Sequence, residues 1–502
     1  MSLSRNLIAG LTNSIWSAVI GLAVVPLYIK YLGIEAYGLI GFYVTTQALL
    51  QLLDMGLAPA INREVARYAA AGNLIGAGKL LHTLAVVYWS MAVIIVFLMA
   101  AFSPLIAKYW LQSNQLSPQE ISNSIMLMGL VVACRWPIGL YQGALIGAQR
   151  LVLSSTISIA MVTLCNLGVV VILAFISPTI EAFFIWQAGV SFIYASAMRL
   201  AAWSVIGRAP DIYFDKEQLK NIWRFSAGMS GLSVLGLLLN QLDKIILSKI
   251  ISLEAFAHYM LATVIVSGLF VVVAPTFNII YPRFTELVVT GNIEKLIYLY
   301  RMGTRALATI LFPAAMFLAI FSENLVHLWT GNPYVAEQVA PIISLLVVGT
   351  AIQGVMYFPY TLQLAYGMTR LPLIICLIMV IVMIPLIVFL AWTYQALGGA
   401  MTWLAINSMY LLLGTWLTHR HLLKGIGVKW LTQDVGVPLI LSILAGLVGH
   451  YGIQELNILV YLKIISGGVL ALFAASLSLL LSSQFRLLII NTYRFKIPRH
   501  EN

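Results

Sequence analysis

Apolar runs of about 20–25 residues alternate with short polar breaks along the whole chain. Fourteen can be marked, starting near residues 7, 37, 80, 122, 151, 182, 226, 256, 304, 339, 371, 398, 435 and 458. A run of that length crosses a bilayer as an α-helix, which pairs every backbone amide within the segment. A spanning β-barrel would show strictly alternating segments of about ten residues, and this chain has none. The pattern predicts an all-α polytopic membrane protein of about fourteen transmembrane helices. No stretch is left over for a separate soluble domain.

One polar break occurs twice. Lys30, Glu35, Ala36 and Tyr37 return 219 positions later as Lys249, Glu254, Ala255 and Phe256, and at the same offset Gly72 and Asn73 return as Gly291 and Asn292. An internal repeat across six spans predicts two six-helix lobes of like orientation, related by an axis along the membrane normal. The expected partition is an N-terminal six-helix lobe over 1–206, a cytoplasmic inter-lobe linker over 207–225 and a C-terminal six-helix lobe over 226–420. Two additional transmembrane helices and a cytoplasmic tail follow over 421–502.

Composition sharpens this reading. Only 9% of the 502 residues are charged and mean hydropathy is +0.96, where a soluble protein would carry about 25% charge. Assigning loops alternately to two sides places 21 of the 28 basic residues on one side, four on the other and three within spans. By the positive-inside rule both termini are cytoplasmic, so the net charge of +11 needs no nucleic acid to explain it. No small-residue cleavage site follows the first residues, which predicts an uncleaved first span. The basic loops 207–225 and 281–303 read as amphipathic helices lying at the interface, and 485–499 as a tail on the cytoplasmic surface. Cys134, Cys165 and Cys376 lie in apolar runs and read as small buried side chains.

Ionisable residues at membrane depth are costly and commonly face a cavity or a partner. Here they are Asp54, Arg135, Arg199, Asp243 and Lys244. Arg135 falls near the middle of its span. Asn240, Asp243 and Lys244 share one helix face, whereas the repeat puts Gly21, Val24 and Val25 at those positions. That polar stripe therefore belongs to one lobe. Asp54 paired with Arg199 would be a structural alternative, as would Lys244 snorkelling to the outer surface. Arg63 and Arg67, with Glu64 between them, and Arg301 with Arg305 are candidate diphosphate contacts at a cytoplasmic mouth. Contact with anionic phospholipid is the plainer reading of those arginines. Walker and zinc-ligand patterns are missing, and His419, Arg420 and His421 read as an interfacial basic loop. The chain is expected to be no enzyme, with no metal and no cofactor. An ion or substrate gradient would then drive its work.

The residues from Pro26 through Gly33 to Gly38, then Leu53, Asp54, Gly56, Asn62, Arg63, Glu64, Arg67 and Tyr68, resemble the opening of bacterial polysaccharide transporters. These are the O-antigen (Wzx-type) flippases of the multidrug/oligosaccharidyl-lipid/polysaccharide superfamily. The resemblance implies a two-lobed bundle in the bacterial inner membrane that flips undecaprenyl-diphosphate-linked oligosaccharide to the outer leaflet by alternating access. A cationic cavity would hold the diphosphate, and Arg135, Arg199, Lys244 and Asn240 suit it. Asp54 or Asp243 would couple transport to H+ or Na+. Partners would be the lipid-linked oligosaccharide, anionic phospholipids, and polysaccharide polymerase and chain-length proteins. A cation-coupled multidrug exporter of the same superfamily and a non-transporting assembly scaffold are the alternatives. Lipid II flippases share the span number but resemble the opening motif less.

Overall fold

The computed structural model describes residues 3–54, 56–207, 213–456 and 458–481. The tail expected over 485–499 lies outside the described residues, as do Arg208 and its neighbours to 212. By compactness the chain divides into Met1–Ala257 and His258–Asn502.

The first unit contains α1 (Leu3–Leu32), α2 (Ile34–Leu50), α3 (Leu57–Ala70), α4 (Leu74–Tyr109), α5 (Pro118–Gly147), α6 (Leu151–Phe175), α7 (Ile180–Ile206) and α8 (Lys216–Ile250). A tight turn, Gln51–Asp54, continues α2. α5 is the axis of packing: α3, α4 and α7 lie against it, burying Ile61, Leu84, Tyr141 and Met198 completely or nearly so. The first turn of α2 carries Glu35, buried at 2% exposure. Its carboxylate accepts the Ser113 hydroxyl and the Asn114 and Gln115 amides at 3.1 and 3.0 Å. That acceptor orders the loop between α4 and α5, which then accepts the Leu253 amide at Gln112 O (2.7 Å).

The second unit contains most of α9 (Leu253–Ser267), then α10 (Phe270–Val289), α11 (Ile293–Ile320), α12 (Ser322–Thr330), α13 (Pro333–Ala365), α14 (Arg370–Met409), α15 (Thr415–His421), α16 (Gly427–Lys429), α17 (Val437–Val448) and α18 (Val460–Leu480). Wider turns join α14 to α15, α16 to α17, and extend α17 to Gln454. α11 packs on α13, α17 and α18.

The repeat is visible in backbone geometry. Gly72 and Gly291 both take φ 69°, the left-handed region where a Cβ is penalised. Asn73 and Asn292 then cap α4 and α11, accepting the Gly76 amide at 2.8 Å and the Lys295 amide at 3.2 Å. One copy of the repeated break also packs on the other: a Cβ at Gly38 would stand 2.5 Å from Leu253 O.

This is a multi-pass all-α membrane protein. Among the described residues eleven helices are long and apolar enough to cross, or twelve with the pair α9 and α10, bent by 47°, as one span. The expected fourteen is not reached on that measure, for two reasons. Arg370–His421 is one helical stretch of 52 residues, interrupted by non-helical geometry at Gln395 (φ 51°, ψ −127°), between the runs expected from 371 and 398. α8, at 35 residues, carries the polar stripe and falls outside that set.

Two expected interfacial helices are corrected. Residues 281–303 form the end of α10, a turn at Thr290–Asn292 and the start of α11. The second half of 207–225 is the first turns of α8, capped by Asp215, which accepts the Glu217 and Gln218 amides. Each is continuous with a long helix because the cap starts it there. His419 is likewise buried, not in a loop: it lies in α15 against Tyr300 and Trp430.

Candidate functional site

Arg135 projects from the middle of α5. Its Nε donates to Ser191 Oγ (3.1 Å), and Nη2 donates to Gln187 Oε1 (2.7 Å) and Cys165 Sγ (3.2 Å). The guanidinium lies 5.8 Å from the Tyr43 ring centroid, within cation–π range. Every holder is neutral. Among the described residues no carboxylate comes within ion-pair distance of Arg135. Gln187 and Ser191 sit four apart on α7, one turn of a single face, and α6 supplies Cys165.

Asp54 ends the turn after α2. Its Oδ2 accepts the Ala58 amide (3.2 Å) and its Oδ1 the Tyr88 hydroxyl, so the carboxylate caps the start of α3, where negative charge is favoured. The αL conformation of Gly56 (φ 78°) turns the chain into that cap. Asp54 and Arg135 line one cavity of about 330 Å³, with Gln47, Gln51 and Trp136. No ion pair joins Asp54 to Arg199 among the described residues, and Arg199 is exposed and does not line that cavity.

The stripe on α8 is arranged internally. Lys244 Nζ bridges both Asp243 oxygens at 3.1 Å and donates to Asn240 O at 2.9 Å. Asp243 is buried at 2% exposure, and Asn240 Nδ2 donates to Gly236 O. The lysine charge is therefore matched on its own helix.

Arg63 and Arg67 sit on α3, a helix separate from α2. Glu64 pairs with Arg67 at 2.8 Å and stands 3.9 Å from Arg63. All three line a second cavity of about 280 Å³ with Tyr68 and Gln218. The other expected pair stands differently. Arg301 forms a bidentate bond to Asp434, Nε to Oδ2 at 2.7 Å and Nη2 to Oδ1 at 3.2 Å, and donates to Gln433 at 2.9 Å. Asp434 is 1% exposed and Arg305 is itself buried. This pair ties α11 to the turn before α17, alongside Tyr300 stacked on Trp430 and Trp430 donating to Thr304 Oγ1 (3.0 Å).

Sequence reasoning missed Gln187, Ser191, Tyr88 and Asp434, and it read Cys165 as a plain apolar residue. One signal was available: Gln187 and Ser191 form a polar i, i+4 pair within an apolar run.

The sequence profile of the polysaccharide biosynthesis protein family matches residues 3–288, more than half of the chain. The chain belongs to that family. A relative named "Putative O-antigen transporter", from Shigella flexneri, is 20% identical over 421 residues, covering 81% of this chain and 97% of its own length. Among solved structures, the lipid II flippase MurJ in an inward closed conformation aligns over 94% of this chain and 98% of its own, with TM-score 0.68 and 13% identity. An inward-facing multidrug resistance MATE family transporter of the MOP superfamily aligns over 80% and 94%, with TM-score 0.64 and 15% identity. At those identities the likeness is one of fold. The resemblance of the opening residues is borne out for the family, the fold is shared with these solved structures, and the relatives carry the names of transporters and flippases, not of enzymes.

Proposed function

We propose that this protein is a flippase that moves undecaprenyl-diphosphate-linked oligosaccharide from the cytoplasmic to the outer leaflet by alternating access. The observation that carries the reading is Arg135. A guanidinium in mid-helix is held by neutral groups, and no ion pair among the described residues neutralises it. Its two Nη1 hydrogens meet no protein acceptor among the described residues, and the side chain lines a cavity. A charge kept so in a low-dielectric site favours an anion, and a planar fork suits phosphate oxygens. The family and the relative named for O-antigen transport supply the oligosaccharide.

In this account Asp54 is the coupling acid. Protonation would weaken its cap on α3 and change the charge of the cavity it shares with Arg135, which links H+ or Na+ binding to substrate binding. Asp243 is less suited, because Lys244 already matches it. Arg63 and Arg67 face the second cavity as the diphosphate contact nearest the expected cytoplasmic side. Both termini are cytoplasmic, and polymerase and chain-length proteins would use the flipped product.

Complementation tests this. Expressed in a bacterium lacking its own O-unit flippase, the chain restores surface glycan and gives no resistance to cationic drugs. Drug resistance without surface glycan would favour the exporter reading. Neither, at normal membrane abundance, would favour a scaffold.

A further inference from the structure

The second unit carries a cluster of rings that packing alone does not account for. Phe277 and Tyr281 on α10 stack at 5.7 Å with an interplanar angle of 3°. Phe277 also stacks on Tyr360 of α13 at 6.2 Å and meets Tyr357 edge-on at 5.9 Å. No hydrogen bond is recorded for the hydroxyls of Tyr281, Tyr357 or Tyr360 among the described residues; Tyr281 is exposed and the other two are half-buried. A tyrosine hydroxyl drawn out of bulk water usually finds a partner, and these three are open to water or a guest.

Asn278 adds a polar group. It is exposed on α10, about 60° from Tyr281 at 3.6 residues per turn, and the exposed Arg283–Glu286 ion pair follows about one to two turns on. This end of α10 therefore carries polar groups beside the rings.

We infer that Phe277, Tyr281, Tyr357, Tyr360 and Asn278 form a shelf for the sugar rings of the substrate. Flat aromatic faces match the C–H faces of pyranose rings. The free hydroxyls and the amide offer the donors and acceptors that sugar hydroxyls require. The inference rests on the proposal that the substrate is a lipid-linked oligosaccharide.

The test uses the full chain in lipid nanodiscs with two probes: lipid-linked oligosaccharide extracted from an O-antigen-producing bacterium, and undecaprenyl diphosphate without sugar. The unmodified chain binds the first more tightly. Phe277→Ala and Tyr360→Ala each weaken it by about tenfold and leave binding of the sugar-free lipid unchanged, which also shows that the variants are folded. Tyr360→Phe, keeping the ring, loses less. Equal loss for both probes would assign the shelf to the polyprenyl chain and overturn the inference, as would no loss for either. Equal affinity of the unmodified chain for both probes would overturn the shelf and leave the flippase reading standing. Binding of neither probe would sink both.

Discussion

Removing Arg301 should unfold more than it unbinds. The side chain is 18% exposed and its partner Asp434 only 1%, with two parallel bonds between them and a third to Gln433. Arg301→Ala takes away the bidentate partner of a buried carboxylate and leaves Arg305 as its nearby cation. Breaking one side of a buried pair costs about 3–5 kcal/mol, less whatever Asp434 recovers from Arg305 or by taking up a proton. Each kcal/mol moves the midpoint of a unit this size by roughly 2–4 °C, so thermal unfolding of the purified protein falls by several degrees, up to about 20 °C with no recovery. Replacing both partners with apolar groups, Arg301→Met with Asp434→Leu, removes the buried carboxylate and recovers most of the loss. The assay is a melting curve in detergent, paired with binding of undecaprenyl diphosphate below the lowest midpoint, where all three proteins bind alike. An Arg301→Ala midpoint equal to the unmodified protein's, or a double variant as labile as the single one, would refute the reasoning.

Other changes separate structure from transport. Asp54→Asn keeps one oxygen to accept the Ala58 amide, while its Nδ2 can donate to the Tyr88 hydroxyl, so the protein reaches normal membrane levels. Its glycan export stops responding to collapse of the proton or sodium gradient, and an unchanged response excludes Asp54 as the coupling acid. Gly38→Ala drives a Cβ to 2.5 Å from Leu253 O and destabilises by about 1–3 kcal/mol. Gly21→Ala, whose Cβ meets nothing within 4 Å, is neutral or mildly stabilising, and equal melting of the two variants would contradict the packing argument. Asn73→Ala and Asn292→Ala each remove a helix cap worth about 1 kcal/mol, seen as similar falls in midpoint.

Much of the fold was legible because its causes are local. Apolar run length reports spans, and the repeated Gly-Asn pair reports a left-handed turn followed by a cap, which both copies form. The candidate site was legible only at its charged member. Arg135 stands out because a guanidinium in an apolar run has few explanations, but its holders lie 30, 52 and 56 residues away. No periodicity links positions on different helices. Asp434 was hidden for a related reason: next to a basic segment it reads as loop, and only its partner 133 residues earlier makes it a buried ion. The interfacial helices expected over 207–225 and 281–303 went astray because basic and aromatic residues look alike on a surface helix and on the first turns of a long one.

The most direct measurement places the purified chain in liposomes with lipid-linked oligosaccharide in the inner leaflet. A lectin added outside then reads the arrival of glycan. The account predicts movement with the unmodified protein and, for Arg135→Ala at equal incorporation, a loss in substrate affinity of about 2–5 kcal/mol, seen as transport down by more than about tenfold at limiting substrate. No movement with the unmodified protein, or equal movement with Arg135→Ala, would contradict it.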